Sequence, residues 1–163
     1  MTIKIFVTGG TIDNLRYNSE SKAPKNPKTL IPELLKQAKI SNDYNIEILF
    51  MKDSKFATDE DRKFILGKCT ECRENRIIIT HGTASMARTA KFLGKSEIGK
   101  TIVLTGAAIP ANKKNSDALF NLGFAFSAVQ NLKNGVYVAM NGKLFLWNNV
   151  KKNFNTGFFD EEK

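Results

Sequence analysis

The segments RIIIT at Arg76–Thr80 and TIVLT at Thr101–Thr105 place apolar side chains at consecutive positions. A strand made from either is apolar on both faces, because successive side chains point to opposite sides of a sheet. Such strands need cover on two sides, the situation of parallel strands joined by helical crossovers. Further strand-like runs occur at Ile3–Thr8, Ile46–Phe50 and Val136–Met140. Helical patterns lie between them. Thr58 followed by Asp-Glu-Asp reads as a cap with acids in the first turn. Ser85–Leu93 and Ser116–Leu132 follow, and the second is apolar around much of its circumference, through Leu119, Phe120, Leu122, Phe124, Phe126, Val129 and Leu132. That pattern predicts a buried helix. Strand and helix alternate, so the expected class is α/β: a doubly wound, mostly parallel sheet with helices on both faces, a Rossmann-like three-layer arrangement.

At 163 residues the chain is long enough for one domain with a substantial core, and residues 1–163 are read as one. Asn18–Pro32 carries Pro24, Pro27 and Pro32 and reads as a long mobile loop, of the sort that closes over reactive positions. Asn141-Gly142 is a hairpin signal leading into Lys143–Trp147. The polar stretch beyond it has no assignable pattern.

The formal charge is +9, which raises nucleic acid as a partner. The lysines are dispersed, however, and no long stretch interleaves basic with aromatic residues. Solvated lysines that favour an anionic small substrate are the preferred reading. No apolar run reaches the roughly 20 residues needed to span a bilayer, and the first residues lack a leader pattern, so a cytoplasmic protein is expected. Cys69 and Cys72 form a C-x-x-C, but His81 is the single histidine and further zinc ligands are missing. The pair also falls late in its helix, away from the end that favours thiolate. It is read as structural or incidental, with no metal expected.

In open α/β sheets, ligands collect beyond the carboxyl ends of the strands. Four such ends here are rich in hydroxyls and small residues: Thr8-Gly9-Gly10-Thr11, Asp53-Ser54, Thr80-His81-Gly82-Thr83 and Thr105-Gly106-Ala107-Ala108. Together they predict a site for a small polar ligand. Neither a G-x-G-x-x-G nor a G-x-x-x-x-G-K-[ST] spacing is present, so nucleotide is not the expected ligand, and no cofactor is implied.

TGGTID, ITHGTASM and LTGAAIP, followed by NSDALFNL and GVYVAMNG, resemble the N-terminal domain of the bacterial asparaginases. The family pattern reads TGGTI, HGTDTM, TGAMxP and SDAxxN in the same order, and the likeness runs from Ile3 to at least Asn141. It implies hydrolysis of the side-chain amide of asparagine or a similar small amide. A threonine hydroxyl attacks the amide carbon, ammonia leaves from an acyl-enzyme, and water releases the acid. Such a hydroxyl needs a neighbouring base and donors for the oxyanion. By motif position the resemblance assigns catalysis to Thr11, Thr83 and Lys152, with Lys151 one residue away as the alternative register. It assigns Ser54 to the substrate's carboxylate, Gly10, Gly82 and Ala107 to the backbone cradle, and Ala84 to a substrate-binding position.

The three catalytic candidates also have a plain structural reading. Thr11 and Thr83 suit turn or helix caps, and Lys152 suits a solvated tail. His81 is expected to be a core or turn histidine, Asp117 to cap the helix it opens, and Asn121 to be a structural hydrogen bonder at the site's edge. The sequence also departs from the family pattern. Ala84-Ser85 stands where the family has aspartate-threonine. The lid tyrosine is unmatched, with Ala23 near its place and Tyr17 the nearest substitute. The C-terminal domain, which in full-length members builds the assembly, is absent from this sequence. A homo-oligomer is the family expectation. The alternative to an active amidohydrolase is a catalytically impaired binding module or partner subunit.

Overall fold

A computed structural model describes residues 1–14 and 28–162. The main sheet has six strands: β1 (Ile3–Val7), β2 (Tyr44–Ile48), β3 (Arg76–Thr80), β4 (Thr101–Thr105), β5 (Gly135–Met140) and β6 (Lys143–Leu146), in the order β2-β1-β3-β4-β5-β6. Every pairing from β2 to β5 is parallel, and β6 returns antiparallel to β5. The tight return passes through Asn141 and Gly142, both at positive φ, as a two-residue hairpin requires. Among the described residues, four α-helices complete the layers: α1 (Ile31–Gln37), α2 (Asp59–Glu71), α3 (Met86–Gly94) and α4 (Ala118–Asn131). The doubly wound α/β class expected from the sequence is the class observed.

Alternation along the strands divides the core in two. Ile3, Ile5, Val7, Ile78 and Val103 face one side and pack with α1 and α4 residues such as Leu34, Leu122 and Val129. Phe6, Ile77, Ile79, Ile102 and Leu104 face the other and pack with Ile65 of α2 and Met86, Ala90 and Leu93 of α3. Consecutive isoleucines are therefore used on both faces, as the sequence pattern requires.

α2 begins where expected, and its capping box is complete. Thr58 Oγ1 accepts from the Asp61 N–H at 3.2 Å, while Asp61 Oδ2 accepts from the Thr58 N–H at 2.8 Å.

Three expectations need correction. β2 starts and ends two residues earlier than Ile46–Phe50, because its pairing with β1 begins at Tyr44 opposite Ile3, and an edge strand tolerates the exposed Tyr44 and Asn45. Pro32, read as loop, lies in the first turn of α1, where a missing N–H costs nothing. Most of the remaining loop, Tyr17 and Ala23 included, lies outside the described residues. Phe120 is 64% exposed rather than buried, and it stacks on Phe124 one turn along the outer face of α4. The polar end forms a small antiparallel ribbon of β7 (Lys151–Lys152) and β8 (Phe159–Asp160).

Candidate active site

The register aligns the carboxyl ends of the strands. Val7 lies opposite Ile48 and Thr80, and Thr80 lies opposite Thr105. The strand order reverses direction between β1 and β3, since β1 leads to β2 on one side and β2 leads to β3 on the other. A crevice at that topological switch point is where ligands bind in sheets of this order. The turns after β1 and β3 meet there.

Their contact is backbone to backbone. Gly10 has φ +87°, and a Cβ built on it would lie 2.5 Å from both Gly82 Cα and Gly82 N. Only glycine accommodates both the dihedral and the approach. Gly82 is equally confined, since its Cβ would lie 2.5 Å from Ser54 Oγ. Gly10, Gly82 and Ser54 thus form a stack across three strand ends. Thr11, half-buried, opens a short 3-10 turn over Thr11–Asp13. Thr83, 9% exposed, follows Gly82 directly.

Ser54 is buried and held from α3's side. The Ser85 N–H donates to Ser54 Oγ at 3.1 Å, and Ser85 Oγ donates to the Ser54 carbonyl at 2.6 Å. Ser85 is a buttress that motif matching did not single out. The signal for it was a hydroxyl kept where the family pattern has threonine.

Of the two candidate lysines, Lys152 is the one that reaches Thr83. Its Nζ donates to Thr83 Oγ1 at 2.6 Å, whereas Lys151 is exposed. The ribbon places it: Lys152 pairs with Phe159, whose buried ring is anchored in the core. Burial moves the Lys152 ammonium below its ordinary pKa, opposed by the field of Asp53. That direction favours the neutral amine a general base needs.

The fourth strand end is tied differently. Ala107 is buried behind the turn. Asn121 Nδ2 donates to the Gly106 carbonyl at 3.1 Å, and its Oδ1 accepts from the Asn141 N–H at 3.2 Å. Asn121 is the structural bonder expected. Asp117 is not the cap expected. It sits at the start of α4, but its carboxylate accepts from the N–H groups of Ala108 and Ile109 and from Asn121 Nδ2. The turn offers two N–H donors and Asn121 of α4 a third, so the carboxylate points there. His81 is a buried turn histidine, with Nδ1 2.8 Å from the Gly82 carbonyl oxygen.

Elsewhere, Cys69 is buried and burial pushes its thiol up to about 12. Among the described residues, no three His, Cys, Asp or Glu side chains gather as metal ligands, and no helix is long and apolar enough to cross a membrane. A cavity of about 650 Å³ opens at the opposite edge of the sheet, lined in part by Asn45, Arg73, Glu74 and Asn134. It holds none of the residues matched to the motifs.

A family model described as "Asparaginase, N-terminal" matches residues 2–160. The chain belongs to the asparaginase family. A probable periplasmic L-asparaginase of Haemophilus influenzae is 31% identical over 163 residues, covering 94% of this chain and 47% of the relative. Among solved structures, the thermostable L-asparaginase of Thermococcus kodakarensis superposes with TM-score 0.79 at 26% identity, covering 99% of this chain and 51% of that one. A probable cytoplasmic L-asparaginase of Campylobacter jejuni gives TM-score 0.81 at 32% identity, covering 98% and 52%. The chain spans about half the length of these asparaginases.

Within this asparaginase-family chain, Ala84 is half-buried beside Thr83 and brings no charge. The carboxylate whose field reaches Lys152 is that of Asp53, which also accepts from the Lys55 N–H at 3.1 Å. Asp53 precedes Ser54, so this charge enters from the second strand end.

Proposed function

We propose that this chain performs asparaginase-type hydrolysis of a small amide, without a cofactor. The observation that carries the reading is the 2.6 Å hydrogen bond between Lys152 Nζ and Thr83 Oγ1, at the crevice where Gly10 meets Gly82. In this reading Thr11 Oγ1 attacks the amide carbon and its proton passes to a base. The carbonyl oxygen takes the negative charge and is held by backbone N–H groups of the turns. Collapse of that intermediate expels ammonia, which departs with a proton, and leaves an ester on Thr11. Water then attacks the ester, its proton taken up through Thr83 and Lys152, and the acid is released. Ser54 holds the substrate's carboxylate, Gly82 and Ala107 line the reacting amide, and Ala84 contacts the substrate without pairing to a charge. The sequence acts as one domain, in a cytoplasmic homo-oligomer.

Ammonia release from asparagine, glutamine and other small amides tests the reading. Thr11→Ala and Thr83→Ala are each expected to lower the rate by on the order of 10³-fold or more. Ammonia release that survives both substitutions unchanged excludes it.

A further inference from the structure

Behind the Gly82–Thr83 turn runs a buried polar chain that the proposed chemistry does not use. Arg62 of α2 is 1% exposed, and its Nε donates to Thr89 Oγ1 of α3 at 3.2 Å. Thr89 Oγ1 lies 3.0 Å from His81 Nε2, and His81 Nδ1 lies 2.8 Å from the Gly82 carbonyl oxygen. Thr89 and His81 are buried as well.

The two ends fix the direction of every bond between them. A carbonyl oxygen can only accept, so His81 Nδ1 carries the hydrogen. Burial, with a smaller contribution from Arg62, pushes the imidazole pKa down to about 4, so at neutral pH Nε2 bears a lone pair. Nε2 therefore accepts from the Thr89 hydroxyl. A guanidinium can only donate, so the same hydroxyl oxygen accepts from Arg62. An acceptor at one end and an obligate donor at the other agree on a single polarity. The opposite tautomer would set a lone pair of Nδ1 against the carbonyl oxygen in a buried site, where unpaired polar atoms are costly.

We propose that Arg62, Thr89 and His81 form a positioning relay that holds the Gly82–Thr83 peptide in one orientation and so sets Thr83 for the amide. The C=O and N–H of a trans peptide point in opposite directions, and the described peptide bonds are all trans. Directing the Gly82 carbonyl at the imidazole turns the Thr83 N–H away from the buried chain. The same peptide plane fixes the Cα of Thr83, whose hydroxyl receives Lys152. Arg62 keeps its charge in the interior through Asp59 Oδ1 at 2.9 Å and the Ala57 carbonyl at 3.2 Å. A guanidinium at this position ensures that Thr89 has only one way to turn its proton.

The positioning role rests on the amide-hydrolysis reading, whereas the bond polarity does not, and one experiment separates them. His81 is the single histidine, so long-range ¹H–¹⁵N correlation of the labelled protein reports its tautomer without overlap. Wild type and Thr89→Ser, which keeps the hydroxyl, are expected to show hydrogen on Nδ1. Thr89→Val removes the donor to Nε2. The imidazole and Thr83 amide resonances then move together, and kcat on the amide turned over falls by about tenfold with KM within about twofold, the signature of a misplaced reacting group. Hydrogen on Nε2 in the wild type overturns the relay, even if Thr89→Val does not fold. Thr89→Val with unchanged Thr83 resonances and unchanged kcat overturns the positioning role. If no amide is turned over, the proposed function fails on its own, and the imidazole and Thr83 resonances still decide the relay.

Discussion

The buried His81 makes stability depend on pH in a window where little else titrates. Its pKa in the fold is about 4 against an ordinary value of 6.5, a difference of roughly 3 kcal/mol when fully expressed. The folded pKa is the depressed one, so the unfolded chain binds a proton first as pH falls. The contribution is complete above about pH 6.5, shrinks through the interval to pH 4, and is gone below it. Between pH 7 and pH 5 the two titration curves diverge by about 2 kcal/mol. Glu47 and Asp61, held below their usual range by Lys4 and Lys68 and by Lys52, lose stabilisation in the same direction, but only at the lower pH of carboxylates. Asp13 is raised by burial and acts with the opposite sign. The assay is urea denaturation at pH 7 and pH 5 for the wild type and His81→Gln. The wild type is expected to lose about 2 kcal/mol more than the variant over this step. Equal pH slopes for the two proteins, or an imidazole that titrates near its ordinary value by NMR, would refute the reasoning.

Other outcomes follow from the packing. Gly10→Ala, with its Cβ 2.5 Å from the Gly82 backbone and φ at +87°, should cost about 2–4 kcal/mol in urea denaturation and reduce ammonia release with it. Gly67→Ala, inside α2 with nothing within 4 Å of the new methyl, should instead stabilise by about 0.5–1 kcal/mol. Alkylation of the native protein at pH 8, read by mass spectrometry, should modify the half-buried Cys72 and spare Cys69, whose buried thiol is pushed up to about 12. Lys152→Met should fold normally by circular dichroism yet lose on the order of 10²-fold or more in ammonia release, as expected for removing a general base; a variant with full activity assigns that proton transfer to another group.

How much of this was legible depended on whether the cause was local. β3 and β4 were bounded correctly because consecutive apolar residues leave few other ways to be buried, and the start of α2 because Thr58 and Asp61 satisfy each other three residues apart. β2 slipped because its ends are set by pairing with β1, not by its own composition. α1 was missed because proline suggests a loop unless the helix start is already known. β7 and β8 have two residues each, too few for any period. In the site, Gly10, Gly82 and Ser54 were legible as candidates through their matched positions, and so was a lysine at 151 or 152. Ser85, the orientation of Asp117 and the Arg62–Thr89–His81 chain were not. Their meaning comes from residue pairs 8 to 31 positions apart, formed of common side chains with no distinctive spacing.

The arrangement of the site is a consequence of strand order as much as of residue choice. Because β1 is the interior strand from which the chain departs in one direction and to which it returns on the other side, the turns after β1 and β3 are neighbours with no crossover between them. Two side chains at that junction would force the strands apart, so glycine on both turns is a geometric requirement before it is a chemical one. With the backbones in contact, Thr11 and Thr83 each directly follow a glycine of that contact. A cation is then drawn in from the far end of the chain by an apolar anchor, since Lys152 reaches Thr83 through the ribbon that the buried Phe159 holds in place. Hydrophobic burial of one ring thus sets the position of an amine whose proton affinity burial has also lowered. The fold and the lowered proton affinity of Lys152 have the same physical origin, the exclusion of water from the strand ends.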